Sequence, residues 1–268
     1  MKFLISNYSS PWNTEPFYFN AAFSLIGVQS KIFNPQSSIY DECDAFLPDV
    51  IITHVSHISK DMLHYIVNNK KITLMINTDN IKLEDLNQLS SSLEKTGITA
   101  IFFGKEDIQL TNGKYVKILQ SADIFLNNGR GDYKINKLIF VNSQDDISEI
   151  DGSYHYTSSL PELSNYVDFI FPINILTTLF SNYDEIVFKD PSYIGSQTAF
   201  NAIYSGTKVI FDTKESNDLE QINSIFKGGK LLSSVKNKHT CLHRVKSLLS
   251  QLNCKDIIEK LESEISKL

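Results

Sequence analysis

Short apolar runs alternate with amphipathic stretches along almost the whole chain. In the first half, this pattern predicts buried strands at 2–5, 30–33, 49–55, 71–76 and 98–103, with helices at 17–26, 59–68 and 83–95. Apolar strands that alternate with helices are typical of repeated βα units and therefore of a mostly parallel sheet.

The same alternation restarts in the second half of the chain. Short strands predicted at 115–119 and 123–126 still belong to the first half. In the second half, strands are predicted at 137–141, 168–171, 184–188 and 207–211, and mostly helical stretches at 192–205 and 238–266. Between the halves lies Asn127–Asp132 (NNGRGD), whose Gly and Asn residues tolerate positive φ and suit a hinge. We therefore expect an α/β protein of two Rossmann-like domains, 1–130 and 131–268, with mostly parallel sheets facing a cleft. Ligands of such sheets bind beyond the carboxyl ends of the strands.

Charge and cysteine usage narrow the class of protein. The 268 residues carry a formal net charge of -6, and Arg130 and Arg244 are the only arginines, so nucleic acid is a disfavoured ligand. Cys43, Cys241 and Cys254 are widely spaced, which argues against a disulfide framework or a structural zinc site. No apolar run approaches the ~20 residues that span a bilayer, and the first residues turn polar early. We expect a cytoplasmic protein without a membrane span.

The most distinctive segment runs from Lys189 to Ile210 and reads as strand end, polar loop, helix, glycine stop and strand. Gly195, Ser196 and Gln197 would open the helix, where free N–H groups favour anionic phosphates. The simpler interpretation is an ordinary βα loop with a serine cap, since Ser192 or Ser196 would serve equally well as the cap.

The end of this helix carries a family resemblance. The sequence Asn201-Ala202-Ile203-Tyr204-Ser205-Gly206-Thr207-Lys208-Val209-Ile210 resembles the corresponding segment of two-domain glycosyltransferases of the GT-B type. The resemblance implies a nucleotide-sugar donor held by the second domain, an acceptor held by the first, and a metal-independent reaction without a cofactor. It further implies donor-binding roles for the residues of this segment: Lys189, Ser192, Gly195, Ser196, Gln197 and Asn201. The chain departs from the family at Asn201, where many members carry a Glu that binds the ribose hydroxyls.

Candidate catalytic groups follow strands of the first half. His54 ends the run Asp49–His57 where the resemblance implies a histidine facing the cleft, and it would act as general base on an acceptor hydroxyl; His57 is a weaker candidate. Asp79 follows the next strand and would replace His54 as base, or cap the helix that begins near Lys82. Either histidine would otherwise simply bond the loop backbone.

The first βα connection is long and contains the only tryptophan. Ser9, Ser10 and Trp12 on this loop suit hydrogen bonding to, and stacking on, a sugar or a base, although Trp12 would equally cover the core. The chain has no HExxH, DxD, P-loop or GxSxG pattern, which weighs against metalloprotease, metal-dependent transfer, P-loop hydrolysis and α/β-hydrolase chemistry.

The sequence leaves three functions open. The leading one is transfer of a sugar from a nucleotide-sugar donor to an acceptor hydroxyl, with a glycan, a protein, a small molecule or a modified DNA base as acceptor. The alternatives are epimerisation of a nucleotide sugar on the same scaffold, and an inactive two-lobed module that binds a nucleotide or sugar.

Overall fold

The structure is a computed structural model that describes most of the chain. Described are residues 1–8, 14–79, 81–124, 180, 183–189, 191–212, 216–226, 231–252 and 254–268, together with the backbone of 135–140 and 154–157. Two compact units emerge, one formed by Met1–Leu119 with Val245–Lys267 and the other by Gln120–Arg244 with Leu268. The stretch 245–267, expected in the second domain, thus groups with the first unit.

The first unit is built on a six-stranded parallel sheet. Its strands are β1 (Lys2–Ser6), β2 (Gln29–Phe33), β3 (Val50–His54), β4 (Thr73–Asn77), β5 (Ala100–Gly104) and β6 (Lys114–Lys117), in the order β2-β1-β3-β4-β5-β6. The central strands are buried along most of their length, as near-continuous apolar runs require when helices cover a parallel sheet.

Four helices connect these strands: α1 (Glu15–Leu25), α2 (Ile39–Phe46), α3 (Lys60–Asn68) and α4 (Leu83–Thr96). Local chemistry fixes several of their ends. Ser38 and Ser59 cap α2 and α3 by accepting from the backbone N–H groups of Asp41 and Met62, and Gly97 ends α4 in the left-handed conformation. Ile51, Leu74 and Phe102 belong to the buried core under these helices.

The second unit contains a smaller parallel sheet. Its strands are β7 (Ile135–Phe140), β8 (Tyr154–Thr157), β9 (Tyr183–Phe188) and β10 (Lys208–Phe211), in the order β10-β9-β7-β8. The helices that follow β9 are α5 (Gln197–Tyr204), α6 (Ser216–Ile225), α7 (Leu231–Lys238), α8 (Cys241–Leu249) and α9 (Lys255–Ile265). The boundary between the units falls within α8, and α9 belongs to the first unit.

The α/β class with mostly parallel sheets is confirmed, and the differences from the sequence are local. Strand β8 and helices α2, α6 and α7 were not among the predicted elements. Asp123 and Ile124, predicted as strand, form none; Ala122 pairs with Thr240 in an isolated bridge. The predicted hinge 127–132 and the predicted strand 168–171 lie outside the described residues. None of the described helices combines the length and the apolar character that a bilayer crossing needs.

Candidate functional site

The strand order of the first unit marks where a ligand would bind. Strand β1 is flanked by β2 on one side and by β3 on the other, so the connections that leave β1 and β2 run in opposite directions across the sheet. In open α/β sheets, a crevice forms at the carboxyl ends of the strands where the order reverses in this way. The reversal here lies beyond Ser6 of β1 and His54 of β3.

A pocket of about 420 Å³ occupies this point. It is lined by residues that follow β1, β2 and β3, namely Asn7, Asn34, Pro35, Gln36, Ser56, His57, Ile58 and Ser59. Among these lining residues the only titratable side chain is an imidazole, and most of the others are amides or hydroxyls. With the imidazole neutral, the described lining therefore offers paired hydrogen-bond donors and acceptors without a formal charge.

His54, the predicted base, is held on both sides of its ring. The backbone N–H of Ser56 donates to Nδ1 at 3.2 Å, and the Ser56 hydroxyl lies 2.7 Å from the same nitrogen. Because an amide N–H can only donate, Nδ1 carries the lone pair, and the neutral ring holds its proton on Nε2. The Nε2–H group donates a hydrogen bond to the backbone carbonyl oxygen of Asp79, at 3.3 Å. Both nitrogens are therefore engaged within the protein.

His57 makes fewer hydrogen bonds within the described part of the protein than His54 does. Its Nδ1 lies 3.4 Å from the Ser6 hydroxyl at the end of β1, and no described residue lies within hydrogen-bonding distance of its Nε2. Burial, and secondarily the neighbouring His54, lower the pKa of His57 below its ordinary value. The ring is thus mostly neutral near pH 7, with one nitrogen available at the pocket, so the geometry favours His57 over His54 as a proton acceptor.

Tyr8 lies against both histidines. Its ring centroid is 5.8 Å from that of His54 and 6.4 Å from that of His57. Its hydroxyl donates to Oε2 of Glu15 at 2.8 Å. The position of the aromatic ring beside the histidines therefore depends on a carboxylate in the first turn of helix α1.

Glu15 is the centre of a buried polar network. Only 2% of this residue is exposed, yet its carboxylate accepts hydrogen bonds from the hydroxyls of Tyr8 and Tyr18 and from the side-chain amide of Asn77. These donors, together with the helix N-terminus, compensate for the lost hydration of the carboxylate. Glu15 was missed in the sequence, because its hydrogen bond to Asn77 joins the start of α1 to the distant strand β4.

The network continues from Asn77 to Asp79. Oδ1 of Asn77 accepts from the backbone N–H of Asp79 at 2.9 Å, and Oδ1 of Asp79 accepts from the backbone N–H of Lys105 at 2.8 Å. Asp79 is buried, and it is absent from the lining of the pocket. The structure thus brings the two predicted catalytic residues together, through the backbone carbonyl of Asp79 rather than through its carboxylate.

Gly104 is required for this arrangement. A Cβ at this position would lie 2.9 Å from Oγ1 of Thr78 and 3.0 Å from both Oδ1 of Asp79 and the hydroxyl of Tyr115. The 2.9 Å approach is closer than real Cβ atoms come, and 3.0 Å is tighter than almost all of them. A side chain at the last residue of β5 would therefore force Thr78, Asp79 or Tyr115 to shift.

The predicted donor segment lies at the carboxyl end of β9 in the second unit. Gly195 has a φ of +76°, a conformation that suits glycine, and Ser196 caps α5 by accepting from the N–H of Ala199 at 3.2 Å. The N–H of Ser196 donates to the carbonyl of Tyr193, and that of Gln197 donates to Oε1 of Gln120 at 2.8 Å. Oxygen atoms of the protein thus already occupy three N–H groups at this helix start.

The remaining donor candidates differ in exposure. Asn201 is buried, and its Oδ1 accepts from the backbone N–H of Asp123 at 2.8 Å, which ties α5 to the segment around Ala122. Ser192 is exposed in a single 3-10 turn, and Lys189 is half-buried directly after β9.

The last predicted site residues are those of the first βα loop, and the last question is whether a metal ion could bind. Ser9, Ser10 and Trp12 lie outside the described residues. Within the described ranges, no group of three His, Cys, Asp or Glu side chains is placed to hold a metal ion. Asn34 and Gln36, which line the pocket, were missed in the sequence; the signal available for them was their position immediately after β2.

Comparison with known proteins identifies no family for this chain. No family model matches it, and a search of curated proteins gives no significant match. Among solved structures, a similar one is the spinosyn rhamnosyltransferase SpnG complexed with thymidine diphosphate, with 11% identity, a TM-score of 0.44, and coverage of 100% of this chain and 96% of the other. Another is the apo structure of D-lactate dehydrogenase from Escherichia coli, with 9% identity, a TM-score of 0.30, and coverage of 96% and 97%. Likenesses this distant leave the question of activity to the chain's own residues.

Proposed function

We propose that this protein transfers a sugar from a nucleotide-sugar donor to a hydroxyl group of an acceptor, without a metal ion or cofactor. The observation that supports this most is the pocket at the strand-order reversal of the first unit: its described lining carries no lysine, arginine or carboxylate and includes His57, whose Nε2 is bonded to no described residue. A hydroxyl is the group that such a nitrogen and such a lining are suited to bind.

The proposed reaction needs one proton acceptor and one leaving group. As the acceptor oxygen bonds to the anomeric carbon of the donor, the bond from that carbon to the diphosphate oxygen breaks, and its electrons leave with the diphosphate. The acceptor hydroxyl transfers its proton to Nε2 of His57. In this scheme, His54 and Asp79 are positioning residues, because their hydrogen bonds hold the loop that carries His57.

The donor is assigned to the segment Lys189–Asn201 of the second unit. Its sequence resembles the donor segment of GT-B glycosyltransferases, and Ser192 and Lys189 are its more accessible polar side chains. Lys189 would offset the negative charge of the departing diphosphate. Ser196, Gln197 and Asn201 would shape the loop and helix beneath it, since the hydrogen bonds described above for them lie within the protein, and Gly195 would do so through its positive φ.

A second candidate is binding of a sugar or nucleotide without turnover. Two observations favour it: both ring nitrogens of His54 are engaged within the protein, and Asn201, at the position of the family's ribose-binding Glu, is bonded to the backbone of Asp123. This candidate predicts ligand binding with no product.

Binding of the donor is tested by thermal unfolding with uridine, guanosine, adenosine, cytidine and thymidine diphosphates and their sugars. One nucleotide class should raise the midpoint, since saturation to 100 times Kd stabilises the folded state by about 2.7 kcal/mol. Lys189→Ala should reduce that rise, whereas Lys236→Ala, at an exposed lysine of α7, should leave it unchanged. A flat response to every nucleotide at millimolar concentration would contradict the proposal.

A further inference from the structure

The pocket at the strand-order reversal differs from an anion site in the chemistry of its walls. No lysine, arginine or carboxylate is among the described residues that line it, and three of those residues, Asn7, Asn34 and Gln36, carry side-chain amides. A carboxylate or phosphate bound there would lose hydration without meeting a charged partner, which is unfavourable. The walls therefore select against charged ligands.

The same walls match a polyhydroxylated ligand. Each hydroxyl of a sugar both donates and accepts, and each amide side chain presents an NH₂ group beside a carbonyl oxygen. Pro35 and Ile58 add apolar surface for the C–H faces of a sugar ring. Amide groups around a small apolar surface thus complement an uncharged saccharide.

The part of the pocket formed by Asn34 and Gln36 is preorganised by its backbone turn. Oδ1 of Asn34 accepts from the backbone N–H of Gln36 at 3.0 Å, and the carbonyl of Asn34 accepts from the N–H of Ser37 at 2.8 Å. This turn fixes Asn34 with its NH₂ group unpaired among the described residues, while the exposed Gln36 side chain makes no hydrogen bond to them. A ligand would meet donors whose backbone needs no rearrangement.

We propose that this pocket binds an uncharged saccharide or glycoside as the acceptor, with one ligand hydroxyl at Nε2 of His57 and others at Asn34 and Gln36. That the saccharide is the acceptor of a transfer reaction rests on the proposed function. Binding of the saccharide requires neither a donor nor turnover. The pocket is then the element that selects the substrate class.

The test is a two-dimensional amide NMR titration of the full chain with methyl glucoside and, separately, with the acid of the same ring, glucuronate. Methyl glucoside should shift the amide signals of Asn34, Gln36, Ser37 and 56–59 saturably, and glucuronate should bind more weakly. Gln36→Ala should weaken the binding of methyl glucoside by about threefold to tenfold, which is the equivalent of one hydrogen bond. Gln109→Ala, at an exposed glutamine outside the pocket, is the matched control.

Three results would overturn the inference: no shift at these amides, glucuronate binding as tightly as methyl glucoside, or equal behaviour of the Gln36 and Gln109 variants. Addition of nucleoside diphosphates to the same samples separates this inference from the proposed function. Nucleotide binding with an inert pocket refutes the acceptor site alone, whereas glycoside binding without any nucleotide binding supports the site and refutes transfer.

Discussion

The two units treat the carboxyl ends of their strands differently. In the first unit, the residues beyond β1, β2 and β3 surround an open pocket, and the buried network around Glu15 lies behind it. In the second unit, three polar residues at helix α5, Ser196, Gln197 and Asn201, are bonded to the protein itself. Similar sheets thus present an accessible polar surface in one unit and a self-bonded loop in the other.

Buried polar residues therefore have different roles in the two units. Glu15 and Asn201 are both buried and both bonded, but the first supports residues at a pocket, while the second joins a helix to a neighbouring segment. Substitutions at the two positions should therefore have separable effects on stability and on ligand binding.

The largest effect is expected for Glu15→Ala. The change leaves the hydroxyls of Tyr8 and Tyr18 and the amide of Asn77 without their shared acceptor, and should lower the free energy of unfolding by about 3 kcal/mol. Urea denaturation measures this. Glu84→Ala, at an exposed acid in the first turn of α4, should change stability by less than about 0.5 kcal/mol. Equal effects of the two variants would show that the network does not contribute.

The next effect is expected in the second unit for Asn201→Ala. The substitution removes the acceptor for the buried N–H of Asp123 and should destabilise the fold by about 2 kcal/mol. Asn201→Asp keeps an acceptor at this position and should cost less. If instead Asn201→Ala unfolds like the wild type but no longer binds a nucleotide, Asn201 contacts the donor directly and the structural role assigned here is wrong.

Gly104→Ala tests the close approach behind Asp79. The new methyl group must displace Thr78, Asp79 or Tyr115, so a loss of about 1 to 2 kcal/mol is expected from overpacking. The amide signal of Lys105, which donates to Asp79, should shift as well. Wild-type stability in this variant would mean that the strand end has more room than the structure shows.

The smallest effect is the pH dependence from His57. Because its pKa is lowered in the folded protein, the unfolded chain takes up the proton first, so stability is full above the ordinary histidine pKa of about 6.5 and declines as the pH falls below it. The groups that face its ring are His54, Tyr8 and Ser6. His239, whose pKa burial also lowers, adds a decline of the same sign.

His57→Asn should remove part of the loss of stability at acid pH. His64→Asn, at an exposed histidine of α3, is the control variant. Urea midpoints at several pH values below neutrality measure the difference. An unchanged slope in His57→Asn would contradict the lowered pKa.

The sequence was sufficient for the class of fold because apolar strands of a parallel sheet are nearly continuous and easily recognised, as in VIITH of β3. It did not reveal β8, whose YHYT sequence mixes polar and aromatic residues, or α2, whose eight residues span little more than two helical turns and give too short a periodic pattern. Local pattern is informative only where one face of an element is clearly apolar.

The site was less predictable because its decisive contacts are long-range. His54 was found from its position at the end of a strand, yet the engagement of its Nε2 depends on Asp79, 25 residues away. The contact of Asn201 with Asp123 spans 78 residues, and that of Glu15 with Asn77 spans 62. The sequence located the strand ends, whereas the packing of distant segments determines which groups are accessible there.

The central claim is tested most directly by incubating the protein with nucleotide sugars and uncharged saccharides and analysing the products by mass spectrometry. We expect an acceptor product heavier by one sugar residue, a rate reduced roughly a hundredfold or more in His57→Asn by loss of the proton acceptor, and a normal rate in His64→Asn. Absence of any product, or a full rate in His57→Asn, would contradict it.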